Sequence, residues 1–134
     1  MVEALAWLHP IGGAVAAGLV VWVGLQGLRS RHRASYAVEA RTRHRRFAQY
    51  IYVYVIAVAL FGSTSVLVLR PDLSVAHSVH FYLMTSVVVL MSASAWTSRG
   101  APAVRPHANH AAIGIATLVL VLIGAALGLG LLPG

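Results

Sequence analysis

The sequence predicts an all-α integral membrane protein in which a single domain forms an antiparallel bundle of four helices. Of its 134 residues, 59% are hydrophobic and only 10% are charged, whereas soluble domains carry about 25% charged residues. Four long apolar stretches are separated by polar connections, and all ten basic residues are arginines that lie between those stretches. Both features are typical of membrane helices and their topology signals.

The first predicted span covers residues 4–28 and has no charged residue. About 25 apolar residues are enough to cross a hydrocarbon core of about 30 Å. A signal peptide is the competing interpretation, but it would have a basic start and a short apolar region, and this chain has Glu3 instead. Pro10 lies in the first turns, where a missing N–H costs least. We therefore expect a permanent span.

The second predicted span covers residues 47–69 and follows a basic segment, residues 29–46, which holds seven of the ten arginines. From about Tyr36 onwards this segment can already be helical. The span opens with aromatic side chains, which suit the lipid headgroup region. They are Phe47, Tyr50, Tyr52 and Tyr54.

The third and fourth predicted spans cover residues 75–97 and 107–132. Pro71 ends the second helix, and Asp72 or Ser74 is available as the N-cap of the third. The connection before the fourth span contains two prolines and a glycine, which indicate turns. The four spans together predict one membrane domain with short or moderate connections.

The distribution of arginines predicts the orientation. The first and third connections hold nine arginines, whereas the second holds only Arg70, beside Asp72. By the positive-inside rule, both termini then lie on the outer, periplasmic side of a bacterial inner or photosynthetic membrane. The net charge of +7 is thus a topology signal and a contact with membrane lipid, and we expect no nucleic-acid partner. The absence of cysteine excludes disulfides, iron–sulfur clusters and covalent c-type haem.

Four histidines, one near the start of each apolar stretch, form the candidate site. In an up-down bundle they fall alternately on the two membrane faces, so the first and third face each other across the bundle, as do the second and fourth. Two such imidazole pairs at two depths predict two b-type haems with histidine-ligated iron. The predicted ligands are His9 with His77 and His44 with His110.

The neighbouring residues agree with haem sites. Gly12 and Gly13 follow His9 by about one turn, and Gly114 follows His110 in the same way. Small residues there leave room for the porphyrin face and allow close helix approach. Arg43 and the arginines around it lie beside the second histidine and are candidates to pair with haem propionates.

Two alternative ligands remain, because the spacing HxxH occurs at His77/His80 and at His107/His110. Residues three apart share a helix face. His110 lies deeper in its span and is followed by a glycine, which favours it over His107. The residues themselves leave the choice between His77 and His80 open.

Short motifs are spread over nearly the whole chain: Leu8-His9-Pro10, Arg43-His44, Ala76-His77 followed by Met84-Thr85, Ser92-Ala93-Ser94, and His110. With these motifs the chain resembles the cytochrome b561 superfamily, and more closely a four-helix bacterial and cyanobacterial branch of it. The resemblance implies two b haems held by histidines from alternate helices and electron transfer across the membrane. It also favours His77 over His80. The ascorbate-using members have six helices and substrate motifs that this chain lacks, so their electron donor is not implied.

The function predicted first is a dihaem b-type membrane cytochrome that carries electrons across the bilayer and exchanges them with quinone or quinol. Such a chain is an electron carrier or one subunit of an oxidoreductase, since the redox chemistry belongs to the haem. The second prediction is a small anchor subunit of a larger respiratory or photosynthetic membrane complex. A transporter ranks third because no charge lies near mid-membrane. A metal site at the HxxH pairs ranks low because no carboxylate is near.

Overall fold

The computed structural model describes residues 2–32, 35–69, 74, 77–98 and 108–130. Within these ranges the chain is entirely helical apart from short turns. The four helices are α1 (Val2–Arg29), α2 (Tyr36–Leu69), α3 (Val79–Ser98) and α4 (Ala108–Leu129). The all-α prediction is confirmed.

All four helices are long and apolar enough to cross a membrane, and their candidate spans are Trp7–Arg29, Tyr36–Val68, Val79–Ser98 and Asn109–Leu129. Many large apolar side chains point away from the protein, such as Val53, 64% exposed, and Leu122, 58% exposed. Lipid tails are the solvent in which such surfaces are stable. The chain is a multi-pass membrane protein.

The start of α2 agrees with the expectation that the basic segment can be helical from about Tyr36, whereas α3 starts later than its predicted span. α2 starts at Tyr36 and has 34 residues, about 51 Å at 1.5 Å per residue, so it extends beyond a hydrocarbon core of about 30 Å. Much of the basic segment is therefore helical. α3 begins at Val79, four residues later than the predicted span. Its N-cap is Ser78, whose hydroxyl accepts the N–H of Phe81 at 3.4 Å.

Each helix packs against two others. α1 contacts α2 and α4, and α3 contacts α4 and α2. Among the described residues the backbones of α1 and α3 do not approach each other closely, nor do those of α2 and α4, so these helices meet only through side chains. These two pairs are therefore the diagonals of a four-helix bundle.

Buried apolar side chains from all four helices form one contacting cluster, and each helix contributes at least one valine to it. The most deeply buried is Val87 of α3, which is 1% exposed. This cluster packs the four helices together. Four of its valines, one from each helix, are called the valine layer here, and they are Val20, Val55, Val87 and Val121.

Candidate functional site

Two pairs of imidazoles from diagonal helices lie at the two ends of the bundle. The rings of His44 (α2) and His110 (α4) have centroids 6.0 Å apart and an interplanar angle of 85°. The rings of His9 (α1) and His80 (α3) have centroids 6.3 Å apart and an angle of 83°. All four rings are partly buried.

The ring that faces His9 is that of His80, not that of His77 as the sequence predicted. His77 lies in a tight turn ahead of α3, where its N–H donates to the carbonyl of Ser74 at 3.2 Å, and it is exposed. The rule that residues three apart share a helix face does not apply to it, because the helix begins only at Val79. The other alternative, His107, lies outside the described residues.

Three of the four imidazoles bond through Nδ1 to the neighbouring helix. Nδ1 of His44 is 2.9 Å from the carbonyl oxygen of Val23, and Nδ1 of His80 is 3.0 Å from that of Gly124. Nδ1 of His110 lies 2.9 Å from Oγ and 3.3 Å from the carbonyl oxygen of Ser94. A carbonyl oxygen can only accept, so Nδ1 carries the proton in His44 and in His80, whereas the Ser94 hydroxyl can either donate to His110 or accept from it. The lone pair of a neutral ring is then on Nε2.

The fourth imidazole, that of His9, differs from the other three. Its Nδ1 is buried and has no hydrogen-bond partner among the described residues. The ring packs so closely on Gly62 of α2 that a Cβ there would overlap it. The His9 ring is thus held by shape and not by a standard hydrogen bond.

Glycines that the sequence analysis did not select lie directly beneath the rings. A Cβ placed on Gly27 would be 3.1 Å from Nδ1 of His44, and one placed on Gly128 would be 3.1 Å from Cε1 of His80. Together with Gly62, these glycines provide flat surfaces on which three imidazoles lie. Each of them allows an approach that a side chain would block.

A spacing in the sequence could have identified these glycines. His9 and Gly27, His44 and Gly62, and His110 and Gly128 are each 18 residues apart. Eighteen residues make five turns at 3.6 residues per turn, so each histidine shares a helix face with a glycine near the other end. When two such helices pack with opposite ends together, each histidine meets the other helix's glycine.

The glycines that were selected from sequence have other surroundings. A Cβ on Gly12 would contact Val58 at 3.5 Å, whereas one on Gly13 or Gly114 would meet no described atom within 4 Å. The space beside Gly13 and Gly114 agrees with the predicted room for a porphyrin face. Their contact with a cofactor stays a prediction.

In the structure the partner of Arg43 is an acidic side chain. Its guanidinium pairs with Glu39 one turn away on the exposed surface of α2. Nearby, Arg41 donates to the carbonyl of Ser30 at 3.3 Å, and Arg46 lies 5.6 Å from the ring centroid of Phe47. Because exposed ion pairs are weak, Arg43 can exchange Glu39 for another anion, and its pairing with a propionate stays a prediction.

An open groove of about 300 Å³ runs along α1 and α2 beside His9. A second groove of about 520 Å³ lies between Trp22, Phe47, Tyr50 and Tyr54. Both have walls that are almost entirely apolar. They are surfaces on which lipid chains or other apolar molecules can lie, and only the first reaches a site histidine.

The number of metal-ligating side chains at each site limits which metal or cofactor the site can hold. No group of three metal-ligating side chains occurs within the described ranges, so a bare metal ion would have only two protein ligands here. A metal–imidazole bond is roughly 2.0–2.1 Å, and an imidazole nitrogen lies about 1.1 Å from its ring centre, given ring bonds of about 1.33 Å. A metal held in line between two such nitrogens separates the ring centroids by about 6.3 Å. The observed centroid separations of 6.0 Å and 6.3 Å are compatible with this value and also with direct T-shaped contact between the rings.

Comparisons with known proteins found no relative. No family model, curated protein or solved structure matches the chain.

Proposed function

We propose that this protein is a dihaem b-type membrane cytochrome that carries electrons across the bilayer. One haem is held by His44 and His110, and the other by His9 and His80. The observation that carries the proposal is the centroid separation of 6.0 Å and 6.3 Å in two diagonal imidazole pairs. Both values lie close to the separation of about 6.3 Å expected if the two imidazoles of a pair held one metal between them.

The hydrogen bonds support the same ligand set. Nδ1–H donates to a backbone carbonyl in His44 and in His80, which leaves Nε2 as the ligating atom. Metal-bound histidines almost always donate their other N–H in this way. The outer ligands in the proposal are His9 and His80 because His77 precedes α3 and is exposed.

Haem, when bound, supplies one-electron oxidation and reduction. The chain supplies the ligands, an apolar surrounding and the spacing. In α1, His9 is about 18 residues from Gly27, which lies beside His44, and in α3, His80 is about 14 residues from Ser94, which lies beside His110. At 1.5 Å per residue the two imidazole pairs are therefore roughly 21–27 Å apart along the bundle. Each pair thus lies near one face of a hydrocarbon core of about 30 Å. The valine layer that includes Val87 contributes apolar side chains to the core of the bundle.

The proposal places the bundle antiparallel, with both termini on the outer side of a bacterial inner or photosynthetic membrane. Contacts between opposite helix ends support the antiparallel order, since His9 of α1 meets Gly62 near the end of α2. The arginines of the first and third connections support the orientation.

Electrons would pass between quinone or quinol on one side and a protein partner on the other. The chain would act alone or as a subunit of an oxidoreductase, and the cytochrome b561 superfamily is the family to which we propose it belongs.

A second candidate function is a structural anchor subunit of a larger respiratory or photosynthetic complex. The observation in its favour is that both imidazole pairs are in T-shaped ring contact. Such contacts stabilise a bundle without any metal. In this case the histidines would join diagonal helices and carry no electrons.

A dithionite-reduced minus oxidised absorption spectrum of the purified protein, with haem counted per chain, tests the proposal. We expect sharp b-type bands and close to two haems per chain. One haem per chain would contradict the paired sites. The absence of haem from protein expressed with ample haem would contradict the cytochrome proposal and favour the anchor subunit.

A further inference from the structure

We propose that Gly27 and Gly128 are positioning residues that expose a backbone carbonyl to the histidine of the neighbouring helix. Each thereby sets the proton of that imidazole on Nδ1 and leaves the lone pair on Nε2. The part of this inference that concerns haem rests on the proposed function. The part that concerns the proton does not, because it involves only atoms of the protein.

The exposed carbonyls precede the glycines by one helical turn. Val23, whose carbonyl accepts from His44, lies four residues before Gly27. Gly124, whose carbonyl accepts from His80, lies four residues before Gly128. In an α-helix the side chain of residue i+4 covers the turn before it, which includes the carbonyl of residue i. A glycine at i+4 leaves that carbonyl open to a second donor.

The available space shows that this opening is needed. A Cβ on Gly27 would lie 3.1 Å from both Cε1 and Nδ1 of His44, and one on Gly128 would lie 3.1 Å and 3.5 Å from the same atoms of His80. The separations of 3.1 Å are tighter than ordinary van der Waals contact, so an alanine would push the ring outward. The ring would move away from its carbonyl by a few tenths of an ångström, enough to weaken a bond of 2.9 Å or 3.0 Å.

The glycine recurs at a third histidine, but the hydrogen bond does not. His9 lies on Gly62, and its Nδ1 has no hydrogen-bond partner among the described residues. His110 has no such glycine beneath it and bonds to the side chain and carbonyl of Ser94. The complete arrangement of glycine and carbonyl therefore occurs at His44, across the α1–α2 interface, and at His80, across the α3–α4 interface.

The chemical consequence concerns which nitrogen can ligate. A neutral imidazole with its proton on Nε2 cannot bind a metal through that atom, so a free ring would spend part of its time in the wrong tautomer. A carbonyl acceptor at Nδ1 removes this tautomer and also makes the ligand more basic. Gly27 and Gly128 therefore act on metal binding without touching the metal.

The first test measures the tautomer in the full chain without haem, produced in a host that cannot synthesise haem. ¹⁵N NMR of histidine-labelled protein in nanodiscs distinguishes a protonated from an unprotonated ring nitrogen, and H44Q assigns the His44 signals. We expect His44 to be protonated at Nδ1 in the unmodified chain. In G27A it should become a mixture of tautomers. The matched control is G18A in the same helix, where a Cβ would meet no described atom within 4 Å, and it should resemble the unmodified chain.

The second test uses protein loaded with haem. In G27A we expect the affinity of one haem to fall about 10-fold or more. Its midpoint potential should rise, because a less basic ligand stabilises oxidised iron less. The other haem and both haems of G18A should keep their potentials, which a general loss of packing would not predict.

Each outcome separates this inference from the proposed function. If His44 stays protonated only at Nδ1 in G27A, and His80 does so in G128A, the positioning role is wrong even where both haems bind. If no haem binds but G27A shifts the tautomer of His44, the positioning role is supported and the proposed cytochrome function is contradicted. Should G27A fail to fold, G128A in α4 decides by the same two measurements, since it acts on His80 across a different interface.

Discussion

Nδ1 of His44 lies 2.9 Å from the carbonyl oxygen of Val23, across the interface between α2 and α1. This bond ties the start of one helix to the end of another and orients a polar ring within the membrane domain. His80 is joined to Gly124 in the same way across the α3–α4 interface. Such hydrogen bonds stabilise the folded protein in an apolar surrounding, because breaking one would leave an unsatisfied polar group there. They make the histidines part of the packing, whatever they bind.

The choice between His80 and His77 gives the first prediction. We expect H80A to lose one haem per chain and H77A to keep both, because only His80 faces His9. The two positions are three residues apart, so each variant is the matched control of the other. The measurement is the haem count from the reduced minus oxidised spectrum. Loss of haem in H77A, with retention in H80A, would reverse the assignment of the outer ligand.

The hydroxyl of Ser94 gives the second prediction. S94A removes the 2.9 Å partner of His110 Nδ1 and leaves only the carbonyl oxygen at 3.3 Å. We expect a loss of about 0.5–1.5 kcal/mol in the free energy of unfolding and a higher midpoint potential for one haem. Reversible unfolding in detergent and a redox titration measure the two effects.

The control for this variant is S86A. Ser86 is exposed, and its hydroxyl donates to the carbonyl of Tyr82 in its own helix. Removing it should change neither quantity measurably. Equal effects of S86A and S94A would show that the bond to His110 has no special role.

The valine layer gives the third prediction. Val87 is 1% exposed, so V87A leaves a cavity among the four helices, and we expect a loss of roughly 1–2 kcal/mol in the free energy of unfolding. V89A in the same helix should cost little, because Val89 is 60% exposed. Denaturation in mixed micelles measures both. Similar losses for the two would contradict the placement of α3.

The orientation gives the fourth prediction. The chain has no cysteine, so single cysteines can be introduced at Ser74 and Ser98, both of which are exposed. We expect a membrane-impermeant maleimide to label S74C from the periplasmic side and S98C only from the cytoplasmic side. Spheroplasts and inverted vesicles provide the two sides. The opposite pattern would overturn the orientation and exchange the inner and outer haems.

The sequence predicted more of the fold than of the site. Four apolar stretches of sufficient length predicted four helices. The length of an apolar run is a local property of the sequence, and it decides whether the segment can cross the hydrocarbon core. The sequence also indicated His9, His44 and His110, which lie within helices and in facing pairs in the structure. The sequence did not show that His80 and not His77 faces His9, because the start of α3 depends on the cap that Ser78 provides, and a helix start is weakly encoded in an apolar stretch.

The sequence by itself determined that the chain is a membrane protein of four helices with a histidine near the start of each. Only the tertiary structure decided which residues these histidines meet. The contact of His80 with His9, and the carbonyls beside Gly27 and Gly128, arise between helices that are distant in the chain. Such contacts depend on the register and rotation of one helix against another. Hydropathy is insensitive to both, because every face of an apolar helix is compatible with lipid.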